Sequence, residues 1–154
     1  MIHIPVNVPW QVLLIEDNPS DILWTQRAFR EADPSIRLHV TSDGVDAMAF
    51  LQRQGVHGRA PRPDLILLDL SLPKLDGREV LALIKLDDNL KSIPTMILTS
   101  SEADEDIAQC HQLQANAYLT KPESLEAYDS LLKKMITFWL TTAKLPHAPI
   151  ADGE

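Results

Sequence analysis

The chain has 154 residues, 45% of them hydrophobic and 23% charged, enough for one domain with a buried core. Its 22 acidic and 14 basic residues leave a net charge of −8, which argues against a nucleic-acid partner, because a phosphate backbone wants a basic face. Cys110 is the single cysteine and cannot close an intramolecular disulfide, "MIHIPVNVPWQV" carries no secretory leader pattern, and no apolar run reaches membrane-spanning length. The expected location is therefore cytoplasmic, with no membrane partner.

Short β-like runs alternate with helical patterns along the chain. After an N-terminal extension (1–10), "QVLLI" (11–15) reads as the first strand. Residues 18–32 read as a helix with Asn18 as N-cap and Pro19 at the first helical position. A strand is predicted over 36–41 and a helix over 42–55, with Gly55 as its stop. The Gly- and Pro-rich stretch 56–63 is a loop. Strands over 64–69, 94–100 and 115–120 alternate with helices over 76–87, 103–113 and 124–142, and the tail 143–154 is expected to be loose.

Five strand–helix repeats imply parallel strands with right-handed crossover helices, hence an open, doubly wound five-stranded α/β sheet covered on both faces. The strands at 11–15, 64–69 and 94–100 are almost unbroken apolar runs, as central strands should be. Ligands on such sheets sit beyond the carboxyl ends of the strands, at the point where strand order switches.

The residues at those ends are chemically unusual. Strand 1 runs into Glu16 and Asp17, strand 3 into Asp69, strand 4 into Thr99 and Ser100, and strand 5 into Lys121 and Pro122. Three carboxylates in one place repel one another, and a divalent cation would relieve them. Hard oxygen ligands with room for water suit Mg²⁺. An aspartate beside a metal, a hydroxyl and an ammonium is the arrangement that accepts a phosphoryl group.

"LIEDNPSD", "LILLDLSLPKLDG", "ILTSS" and "YLTKP" resemble the signature blocks of two-component response regulator receiver domains, in that family's order and spacing, across about residues 11 to 140. The resemblance implies a flavodoxin-like fold and the receiver boundaries 11–142. It implies that Asp69 is the phosphoacceptor and that Mg²⁺ is held by Asp17, Asp69, the backbone carbonyl of Ser71 and, through water, Glu16. It makes Thr99 and Lys121 the phosphoryl-binding residues, Thr99 and Tyr118 the conformational switch, and Lys121–Pro122 a cis peptide. It implies a sensor histidine kinase as partner. The long loop, the extended last helix and "FW" at 138–139 are similar to single-domain regulators that partner bacterial phytochrome kinases.

Each of these residues has a plainer reading when taken alone. Asp69 could cap a turn, Glu16 and Asp17 could begin an Asx turn, Thr99 and Ser100 could be loop caps, Lys121 could be a surface lysine, and Tyr118 a packing aromatic. Their coincidence at one sheet edge is what the plain readings do not explain. His39, His57, His111 and His147 lack metal-ligand spacing, and Cys110 reads as a packing thiol. An aspartyl-phosphate hydrolase would place a second acid two residues past the nucleophile, where this chain has Ser71. The receiver reading is of a protein that accepts phosphate on itself and is not otherwise an enzyme; a phosphorylation-independent interaction module is the third reading.

The last helix carries more apolar residues than one face needs. Leu125, Tyr128, Leu132, Met135 and Trp139 form a stripe that would pack on the sheet, and Leu131, Ile136, Phe138 and Leu140 lie largely off it. Exposed together, those four would form a homodimer face.

Overall fold

The computed structural model describes residues 8–142; the expectations for the first seven residues and for the tail 143–154 fall outside the described residues. Five strands, β1 (Gln11–Ile15), β2 (Arg37–Thr41), β3 (Leu65–Leu68), β4 (Thr95–Thr99) and β5 (Ala117–Thr120), form one all-parallel sheet in the order β2-β1-β3-β4-β5. Five helices connect or follow them: α1 (Pro19–Ala32), α2 (Gly44–Leu51), α3 (Gly77–Leu86), α4 (Asp104–Gln112) and α5 (Leu125–Thr137). The expected doubly wound sheet is present, and the three apolar strands β1, β3 and β4 are its centre.

Alternation along those strands divides the core. Leu13, Ile15, Ile66, Leu68 and Ile97 point to a layer with α2, α3 and Cys110 of α4, whereas Val12, Leu14, Leu65, Leu67, Met96 and Leu98 point to a layer with α1 and α5. Cys110 is fully buried and burial raises its thiol pKa, so it packs, as expected.

Helix starts follow their caps. Asn18 accepts from the N–H groups of Ser20 (3.0 Å) and Asp21 (3.1 Å), with Pro19 next to it, and Asp43, Asp76 and Ser124 cap α2, α3 and α5 in the same way. Helix ends depart more from expectation. α2 stops at Leu51, and Gly55, expected to be its stop, instead opens a 3-10 turn (Gly55–His57) with φ +60°. α5 ends at Thr137 and widens into a π-helical turn over Phe138–Thr142.

Gly77 carries a stringent constraint. Its N–H donates to the Leu70 carbonyl, and a Cβ there would collide with the Asp69 carbonyl oxygen and the Leu70 backbone. Neither obstacle is a side chain that can swing away. Gly77→Ala should therefore lose about 1–3 kcal/mol by chemical denaturation, despite alanine's better helix propensity. Unchanged stability would mean that the β3–α3 loop has slack at Asp69.

The last helix keeps most of the expected stripe on the core and buries two residues expected off it. Tyr128, Leu132, Met135 and Ile136 are buried, with Leu140 beyond them, all against the α1 layer, while Leu125 is 51% exposed. Ile136 and Leu140 thus belong to the chain's own core and are not free for a dimer face. Leu131 and Trp139 are half-buried against that layer, and Phe138, 52% exposed, lies edge-on to Trp139. Ile136 follows Leu132 by four residues inside the regular helix and so shares its buried face, and Leu140 follows Ile136 by four more, in the π-helical turn.

Candidate functional site

Parallel strands bring the ends of β1, β3, β4 and β5 to one edge, beside the β1/β3 switch of strand order. Glu16 follows β1 directly, with 2% exposure; its Oε2 accepts the N–H groups of Asp17 (3.1 Å) and Asn18 (3.4 Å). Asp17 is exposed at the mouth of the site. Asp69 follows β3, is buried, and accepts the Ser71 N–H on Oδ1 (3.3 Å). Oxygens of Glu16, Asp17 and Asp69 lie within 4.8 Å of one another. Three hard anionic ligands at that spacing, one open to water, fit a divalent cation.

Lys121 binds this acidic group together. Its Nζ, on an almost fully buried side chain, donates to Glu16, to Asp69 Oδ2 (2.9 Å) and to Asp21 Oδ2 (2.8 Å). Asp21 was not anticipated. Its sequence signal is faint, an acid in the first turn of a helix, which the helix dipole favours anyway. Lys121–Pro122 is trans, since no cis peptide occurs among the described residues; the cis bond implied by resemblance is corrected, and trans is the isomer an X–Pro bond intrinsically prefers.

The charges settle unequally. Burial, then the hydrogen bond with Asp69, pushes Glu16 up to about 8, although Lys121 works against them. Burial would raise Asp69 too, but hydrogen bonds from Glu16, Lys121 and the Thr99 hydroxyl outweigh it and hold Asp69 below its usual value. Burial would lower Lys121, but Asp21 and Glu16 raise it, so it stays an ammonium. Of the two, Asp69 is therefore the stronger acid and Glu16 the carboxyl that takes up a proton first.

The raised pKa of Glu16 predicts a pH dependence of metal binding. The folded-state pKa of Glu16 lies above its ordinary 4.5, so protonation favours the metal-free fold, an advantage lost as pH rises through about 8. A divalent cation must displace the proton. Its apparent affinity should rise by up to about tenfold per pH unit over this interval and level off above it. Calorimetric titration at several pH values checks this; a flat affinity would mean that Glu16 is already ionised.

Thr99 closes β4 with 1% exposure, paired in register with Thr120. Tyr118 is half-buried on β5, and its hydroxyl donates to the Ser101 carbonyl (2.9 Å). Ser101 in turn donates to Asp106 of α4, which also accepts Arg78 Nε (3.0 Å) from the start of α3. Sequence reading missed this chain, because no local pattern pairs Arg78 with a residue 28 positions later.

The sequence profile described as "Response regulator receiver domain" matches residues 12–133. The chain belongs to this family. As a receiver, it is 44% identical to response regulator Rcp1 of Synechocystis sp. over 142 residues, covering 92% of this chain and 97% of that one. It is 36% identical to a probable methanogenesis regulatory protein, FilR2, of Methanothrix harundinacea, covering 90% and 88%. Among solved structures, the phosphorylated cyanobacterial phytochrome response regulator RcpA has a TM-score of 0.88 at 43% identity, and the Mn²⁺-bound form of Rcp1 has 0.87 at 43%, each covering 90% of this receiver and 99% of the other chain. Among the described residues, no helix of this receiver is long and apolar enough to cross a membrane.

Proposed function

We propose that the chain accepts a phosphoryl group on Asp69 from a sensor histidine kinase and signals through the resulting change of shape. The observation that carries this is an ionised, buried Asp69 held between the Lys121 ammonium and a carboxylate set fit for a divalent cation. An Asp69 oxygen attacks phosphorus, the P–N bond of the kinase phosphohistidine breaks, and its electron pair leaves on the imidazole nitrogen. Mg²⁺, held by Asp17, Asp69 and the Ser71 carbonyl with Glu16 behind water, would neutralise the phosphoryl oxygens when bound. Lys121 and Thr99 take the remaining oxygens. Thr99 draws toward the new charge, Tyr118 follows into the space, and the loop to α4 shifts.

A kinase of the bacterial phytochrome type is the proposed partner, supported by the phytochrome regulators among the similar structures. The lone, free Cys110 fits a reducing cytoplasm. A hydrolase is disfavoured by Ser71, which stands where a general acid would be needed. Incubation with acetyl phosphate, with and without Mg²⁺, tests the reading: stoichiometric Mg²⁺-dependent labelling supports it, whereas continuous turnover or no labelling overturns it.

A homodimer through the end of α5 is also proposed, now centred on Phe138, whose exposed ring flanks an open groove with Asp129, Lys133 and Thr137. Phe138→Asp should shift the protein toward monomer in sedimentation without lowering its stability. A wild type that sediments as a monomer, phosphorylated or not, would end this reading.

A further inference from the structure

An ammonium has three N–H donors, and those of Lys121 face three carboxylates on three different elements: Glu16 after β1, Asp21 in the first turn of α1, and Asp69 after β3. Its donors are fully used before any phosphoryl oxygen arrives. A phosphoryl oxygen is a fourth acceptor, so one contact has to be given up.

The three partners are not equally free to leave. The Glu16 side chain is 2% exposed, and without the ammonium it would be a buried carboxyl cut off from water. Asp69 carries the phosphoryl group and is tethered beside the ammonium. The Asp21 side chain is 22% exposed, stands outside the group of carboxylates that can share a cation, and sits where a helix N-terminus favours negative charge. It can turn to water at the least cost.

We propose that Asp21 is a positioning residue for Lys121: it holds the ammonium in the unphosphorylated state and competes with the phosphoryl group for one of its N–H donors. The proposal rests on the receiver reading above. Asp21 lies 2.8 Å from the ammonium and helps to keep it charged, so it is a real competitor for the donor it occupies. Phosphorylation thus exchanges one charged hydrogen bond for another, and Asp21 sets how far that exchange favours the phosphorylated form.

The test uses beryllofluoride with Mg²⁺ as the phosphoryl mimic, on the full chain and on Asp21→Asn, which keeps shape and an acceptor oxygen but removes the charge. Asp21→Asn should bind beryllofluoride roughly fivefold more tightly, because a neutral acceptor gives up the ammonium more readily. The ligand-free variant should melt at a lower temperature than wild type, since the buried ammonium has lost an ionic partner. A residue that merely supports α1 would weaken both states or neither. Equal or weaker beryllofluoride binding, or an unchanged melting temperature of the ligand-free form, overturns the role of Asp21. Failure of the wild type to bind beryllofluoride is a separate result that overturns the receiver reading itself.

Discussion

Asp69→Asn should take up no phosphoryl group from acetyl phosphate at saturating Mg²⁺, while the wild type gains one per chain. The substitution keeps side-chain shape and an oxygen that can accept the Ser71 N–H. It removes the proposed nucleophile, since an amide oxygen has neither the charge nor the lone-pair reactivity of a carboxylate. The neighbouring acids are poor substitutes. Glu16 is buried and holds its proton well above the usual carboxylate range, and Asp17 is exposed and is not among the acceptors of the Lys121 ammonium. Intact-mass measurement decides it, and full labelling of the Asn variant would move the acceptor to another carboxylate. Saturating Mg²⁺ matters because the variant also loses one of the three carboxylates proposed to hold the metal.

Lys121→Met should destabilise the metal-free protein by about 3–5 kcal/mol at neutral pH, the usual cost of removing one partner from a buried ionic group. Methionine fills similar volume, so packing contributes little. What remains is Glu16, Asp21 and Asp69 around a space with no cation. Their folded-state pKa values should rise, so the loss should grow as pH rises and shrink as the carboxylates take up protons below neutrality. Mg²⁺ binds the folded state and should restore part of the loss by mass action. Urea denaturation at two pH values, with and without Mg²⁺, checks all three statements. A variant as stable as wild type in metal-free buffer at neutral pH would show that the carboxylates do not depend on Lys121.

Much of the site was legible because strand ends are local. An apolar run that stops at a charge fixes both the strand and its terminal residue, which is why Glu16, Asp69, Thr99 and Lys121 could be placed from sequence and are found at one sheet edge. Helix starts were legible through Asn18 and Pro19. Features that depend on tertiary packing were not. Which apolar residues of α5 are covered is decided by how far α1 extends beside it, so Ile136 and Leu140 are inside and Leu125, in the first turn, is outside. Gly55 looked like a helix stop, but α2 had already ended at Leu51 and the glycine serves the next turn. The pairing of Asp21 with Lys121 spans 100 residues and leaves no periodic trace.

That separation bears on how the protein is made. Glu16 and Lys121 are 105 residues apart and yet in contact. A nascent chain that has released β1 through β4 already holds its acidic residues, but not the cation that neutralises them. Closing so long a loop is entropically costly and slow compared with forming any single strand–helix unit. The ammonium can join the carboxylates only after β5, which it follows, has been made. A chain interrupted anywhere before Lys121 carries Asp69 without the ammonium that faces it, so the arrangement proposed to receive the phosphoryl group arises only once translation has passed β5.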